Sequence, residues 1–170
     1  MRYRNDKEGR GGFTLLEIMI ALAILGIVVT IAVTNFQGLM EKYRVEEETK
    51  QMFADLMDAR GRAMQRNRVF FVQIATNGYK TFEDTNPAPD GNNNLEQGSD
   101  TQIAAVTVKH PITPTGGLSD FRFTRNGISS ATGSIRFSST ALPDYDCITV
   151  VATRIKMGQT NATDNACVEK

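Results

Sequence analysis

Residues 13–33 form an apolar run of 21 residues in which Glu17 is the only ionisable side chain, with Thr14 and Thr30 the only others that are polar. Such a run, as a helix, is long enough to cross a hydrocarbon core of roughly 30 Å. A charge at mid-bilayer costs about 2.5–3.5 kcal/mol on insertion scales. Glu17 stands one turn inside the run, where the cost is lower but a partner is still required. The preceding residues 1–12 carry Arg2, Arg4, Lys7 and Arg10 against Asp6 and Glu8. This basic excess keeps that end cytoplasmic. A secretory signal peptide fits poorly, because the run is too long, contains an acid and lacks a small-residue cleavage site. A plain single-pass anchor leaves Glu17 unexplained.

The stretch Gly11-Gly12-Phe13-Thr14-Leu15-Leu16-Glu17 resembles the class III signal of type IV prepilins and type II secretion pseudopilins. The resemblance implies a leader of residues 1–12, cut after Gly12 by a membrane prepilin peptidase that also methylates the new amine of Phe13. It also implies that Glu17 meets the terminal amine of a neighbouring subunit. Each charge then has a partner in a low-dielectric site, and the pair acts mainly as a register device.

Beyond the run, apolar residues fall at Phe36, Leu39, Met40, Tyr43, Met52, Phe53, Leu56, Met57, Ala63 and Met64. Most spacings are three or four, which predicts one helical face. Glu46–Lys50 and Asp58–Arg62 are i,i+4 pairs in the favourable order. No proline occurs between Phe13 and Asn67, so one helix of about fifty residues is expected, roughly 75 Å long at 1.5 Å per residue. The pilin family usually places a proline where this chain has Thr34. Here only Gly26 and Gly38 weaken the helix, by about 1 kcal/mol each.

After Asn67 the period changes. Residues 69–74 read as a strand, Asn77-Gly78 as a turn and 79–82 as its hairpin partner. A loop rich in Asn, Asp and Pro spans 84–100. Further strands are expected at 103–108, 121–124, 134–137 and 147–153, with Asn126-Gly127 between two of them. The expected class is α+β: a long N-terminal helix, membrane-spanning in its first half, packed on an antiparallel sheet of six or seven strands. The segments 59–67, 82–86, 123–127 and 147–151 resemble the GspH/FimT group of minor pilins and pseudopilins. That layout divides the chain into the leader, a membrane or filament-core helix (13–34), an amphipathic half (35–67) and a periplasmic β-rich head (68–170).

Composition narrows the chemistry. After Gly12 the chain holds 15 Lys or Arg and 17 Asp or Glu, so it is not a general polyanion binder. Cys147 and Cys167 are the only cysteines. In an oxidising periplasm such a pair reads as a disulfide that ties down a polar tail from Gly158 onward. In the 84–100 loop, Asp90, Asn92 and Asn94 alternate like calcium ligands. However, Leu95 and Thr101 occupy the positions where an EF-hand needs glycine and glutamate, so a solvated turn-rich loop or a subunit contact surface stands beside calcium. His110, the single histidine, precedes Pro111 and is expected in a solvated loop. No nucleophile motif or phosphate-binding loop is present, and no enzyme activity is expected.

The family resemblance raises one rival function. Some FimT-like minor pilins bind DNA through a basic segment after the last long strand. The matching residues here are Arg154 and Lys156, with Arg122, Arg125 and Arg136 as possible neighbours. Against it, the head from Arg68 on carries nine basic and ten acidic residues, whereas phosphate binding rests on a basic patch. The resemblance otherwise implies a filament subunit of a type II secretion pseudopilus or a type IV pilus, near its tip. The implied partners are other pilins or pseudopilins, prepilin peptidase, the inner-membrane assembly platform and, before assembly, membrane lipid.

Overall fold

The computed structural model describes residues 12–170, apart from the side chains of residues 32–35. Residues 1–11 of the expected leader 1–12 and the side chain of Thr34 therefore lie outside the described residues. One helix, α1 (Leu15–Arg66), runs unbroken for 52 residues. Contacts divide the chain into one unit ending at Leu39 and a second from Met40 to Lys170.

In the first unit the large apolar side chains between Phe13 and Ile31 are exposed, more than half of each open to solvent. The helix contains a stretch apolar and long enough to cross a membrane. Its internal hydroxyl is satisfied locally: Thr30 Oγ1 donates to the Gly26 carbonyl at 2.8 Å. A hydroxyl bonded within its own helix adds little cost in lipid.

The second unit packs the rest of α1 against two antiparallel sheets. One has the order β3 (Thr101–Thr107), β2 (Gly78–Glu83), β1 (Phe70–Ala75), β5 (Asp120–Phe123). The other has the order β4 (Ile112–Pro114), β6 (Gly133–Phe137), β7 (Cys147–Val151), β8 (Arg154–Thr160), β9 (Cys167–Glu169). Nine strands among the described residues exceed the six or seven expected. The additions are β4, β8 and β9. Two are three-residue edge pieces, and β8 mixes charged, polar and glycine residues in a way that hides its period.

Both sheets bury their inner faces on one helical seam. Val45, Thr49, Met52, Leu56, Ala59 and Ala63 are all buried, at spacings of four and three that keep one line along the helix. They meet Phe70, Val72, Phe121 and Phe123 of one sheet and Ile135, Ile148 and Val150 of the other. The expected stripe is corrected here. Met52, Leu56 and Ala63 lie on the seam, but Tyr43, Met57 and Met64 are exposed. Val45, Thr49 and Ala59 replace them, and Thr49 is admitted because its hydroxyl donates to the Val45 carbonyl at 2.8 Å.

The ends of this part of the helix are fixed by polar contacts. Asn67 takes a left-handed conformation (φ 54°), and Arg68 N donates to the Ala63 carbonyl at 3.2 Å, the 6→1 bond of a Schellman cap. Glu83 on β2, almost wholly buried, accepts from both Arg66 and Arg68. The i,i+4 pairs Glu46–Lys50 and Asp58–Arg62 also form, at 3.2 and 2.6 Å.

The hairpin turn differs from the expected Asn77-Gly78. Ala75 pairs with Gly78, so the turn is Thr76-Asn77 and Gly78 belongs to β2. Glycine is needed there for another reason: a Cβ would stand 2.2 Å from the Val106 carbonyl oxygen of β3.

The corrected seam makes a test. Met52→Ala should cost about 2–5 kcal/mol, whereas Met57→Ala should stay within about 0.5 kcal/mol. Denaturant unfolding of the chain in detergent separates them, and equal effects would contradict the seam.

Candidate functional site

The first candidate is the start of α1. Gly12, Phe13 and Thr14 precede the helix, carry no regular structure and are exposed. Thr14 caps the helix: its Oγ1 accepts from Glu17 N at 3.2 Å, and its carbonyl accepts from Ile18 N. Thr14 and Glu17 thus occupy the positions of a capping box, a signal present in the sequence that the membrane reading passed over. Glu17 lies in the first turn, where the helix dipole favours a carboxylate. The Gly12–Phe13 bond can therefore be engaged by a protease without unwinding the helix. Cutting it leaves a cationic amine just ahead of the capped turn.

A second polar cluster was not foreseen. His110 is buried, not solvated. Its Nε2 lies 2.7 Å from Glu41 Oε1 and its Nδ1 lies 2.7 Å from Glu48 Oε2. Each ring nitrogen thus has its own carboxylate within hydrogen-bond distance. Glu48 also accepts from the backbone of Lys109 (2.8 Å) and His110 (3.2 Å). Glu41 and Glu48 are seven residues apart, two turns of one helix face, and that spacing was the available signal. The hydrogen bond to His110, with Lys109 nearby, holds the Glu41 carboxyl below its usual range. On the next helix positions, Lys42 pairs with Asp144 at 3.1 Å, and Glu46 accepts from Asp144 N at 2.9 Å. Two loops of the head are thus clamped to residues 41–48.

The 84–100 loop is built around aspartates other than the calcium candidate Asp90. Asp84, fully buried, accepts from Asn92 N (3.2 Å) and Asn93 N (2.7 Å). Asp100 accepts from Thr85 N, Asn86 N and Glu96 N at 2.8–3.1 Å. Burial pushes the Asp84 carboxyl up, against the pull of these amides. Gly91 is required because a Cβ would overlap the Asp84 carboxylate. Among the candidate ligands, the Asn92 side chain donates to Glu96 and accepts from Asn94 N, and the Asp90 carbonyl takes Arg125. Leu95 packs on Phe71 and Phe82. No group of three or more His, Cys, Asp or Glu suited to a metal occurs among the described residues.

The basic candidates fall into two sets. Arg154 and Lys156, on β8, both reach Glu169, each at 3.0 Å. Arg122 on β5 and Arg125 just beyond it donate instead to carbonyls of Asn93 and Asp90. Arg136, on β6, donates to the Asn165 carbonyl. Cys147 and Cys167 form a disulfide. The tail is held by strand pairing as well as by this bond: β9 lies on β8 in register Gly158↔Glu169, Gln159↔Val168 and Thr160↔Cys167.

With this geometry established, two family models match the chain. The prokaryotic N-terminal methylation motif covers residues 9–33. The model described as type II transport protein GspH covers residues 48–154, more than half of the chain. No curated protein and no solved structure matches.

The Glu41 contact predicts a pH dependence. A carboxyl held below its ordinary range in the folded state contributes stability that is present above that range and lost as pH falls through the folded value. Glu41→Gln should therefore lose part of the acid limb of the unfolding midpoint against pH. Identical limbs for Glu41→Gln and the parent chain would contradict the assignment.

Proposed function

Because the chain belongs to the GspH family of type II transport proteins, whose members are structural subunits rather than enzymes, we propose that it is a minor pseudopilin or minor pilin. Prepilin peptidase cuts after Gly12 and methylates Phe13. The mature subunit then enters a type II secretion pseudopilus or a type IV pilus from the inner membrane, close to the tip. The observation that carries this reading is the start of α1: an exposed, non-helical Gly12–Phe13 bond, a Thr14 cap and a solvent-facing apolar helix with one carboxylate. A helix apolar on all sides needs lipid or other helices around it. Glu17 and the Phe13 amine of a neighbour then supply each other's partner. The Cys147–Cys167 bond suits a head in an oxidising compartment. Other pilins, the peptidase and the assembly platform are the partners this reading requires.

DNA capture is the alternative. Arg154 and Lys156 share one face of β8, which favours it, but Glu169 neutralises part of that charge. If DNA binds there, Glu169→Ala should strengthen a salt-dependent mobility shift severalfold, and Arg154→Ala with Lys156→Ala should abolish it. No shift at low salt excludes this function.

For the main reading, mass spectrometry of the membrane form should find methylated Phe13 as the N-terminus. An intact Met1 in cells with active peptidase would remove it. Glu17→Gln should be cut normally yet enter filaments at least tenfold less; unchanged entry would remove the pairing role.

A further inference from the structure

The seam occupies only one side of α1 in the head. Beside it runs a second line, Lys50, Phe53, Met57, Arg60 and Met64, at spacings of three, four, three and four. That alternation lets one helix receive another along its length. The chain covers this line only in part. Phe53 packs on the edge of the core, but Met57 and Met64 are 42% and 50% exposed. Ile128, 41% exposed, follows a turn whose Gly127 lies against Met64 and Arg60.

Arg60 is half-buried on this line, and its Nε is buried without a hydrogen-bond partner. A buried donor left unpartnered costs stability. No acid pairs with the guanidinium among the described residues. Asp58 is taken by Arg62, Glu83 by Arg66 and Arg68, and Glu46 by Lys50. From the head, Arg125 in the Gly127 turn adds a second positive charge and donates to a carbonyl, that of Asp90. The charge here is therefore positive and uncompensated. The planar fork of arginine suits a carboxylate, which it can hold by two parallel bonds.

The neighbouring Gly61 is a second feature that the fold does not call for. Glycine weakens a helix interior, and a Cβ at this position would meet nothing within 4 Å. The open notch beside Arg60 admits a close approach from outside. A second copy laid along the same line would set cation against cation, because the line carries no acid, and like charges brought together oppose docking. Phosphate would also suit arginine, but the methionines and Ile128 around it favour a protein surface.

We infer that the line from Phe53 to Met64 docks a helix of a different filament subunit, which passes over Gly61 and sets an Asp or Glu against Arg60. Arg60 then selects the neighbour by charge, and the methionines supply adaptable apolar contact. The inference rests on the filament-subunit reading above.

The full chain, in detergent and in cells that assemble filaments, tests it. Arg60→Gln and Gly61→Leu should keep or raise the detergent melting temperature, because neither residue has a partner within the chain, yet each should lower filament entry at least tenfold. Arg60→Lys should recover only part of that entry. A photoreactive phenylalanine analogue in place of Met57 should cross-link to a helix of a different subunit, within about two turns of an acid. Changing that acid to arginine should restore the entry of Arg60→Glu. Parent-level entry of Arg60→Gln or Gly61→Leu overturns the site. So does a melting temperature that falls together with entry, which makes these residues structural. Cross-links confined to a second copy or to nucleic acid, cross-links to a segment without an acid, or none to another subunit also overturn it. If the parent chain itself never enters filaments, the subunit reading falls and takes this one with it; if parent and variants enter equally, only the site falls.

Discussion

Both sheets of the head depend on a single line of helix side chains. Val45, Thr49, Met52, Leu56, Ala59 and Ala63 form the helix surface against which both sheets bury their inner faces. Neither sheet has a separate core of comparable size; the small cluster of Val69, Phe71, Phe82 and Leu95 covers only the outer side of one sheet. Removing a side chain from the seam therefore weakens packing in both sheets at once. The small side chains of Ala59 and Ala63 are buried where the helix ends. The wider Met52 and Leu56 fill the middle.

Carboxylates organise what the seam does not. Glu46, Glu48, Asp84 and Asp100 all accept backbone N–H groups from segments without regular pairing. Buried backbone donors must find acceptors, and here side chains supply them. Near-neutral composition conceals this use, because many of the acids are committed internally. The same accounting applies to the Asn-rich loop, where backbone amides donate to Asp84 and Asp100.

The long helix, its two i,i+4 ion pairs and most of the strands were legible because each follows a local period. What was not legible depended on partners distant in sequence. Tyr43 and Met57 fit the helical stripe as well as Met52 does, and only the position of the sheets decides which are covered. His110 looked solvated beside Pro111; its burial depends on Glu41 and Glu48, more than sixty residues earlier. Gly78 was read as a turn glycine, but its reason is the Val106 carbonyl on another strand. β9 is too short to show a period and exists through its pairing with β8 and its disulfide. At the start of α1 the Thr14–Glu17 spacing of the cap is present in the sequence but is masked by the apolar run that follows it.

The clamp on His110 also acts as a gauge of helix pitch. Two carboxylates seven residues apart can grip one imidazole only while the two turns between them keep their 5.4 Å rise. Unwinding a single turn would stretch that distance by several ångströms and break at least one of the 2.7 Å contacts. Any loosening of the helix that begins upstream therefore meets a stop at Glu41.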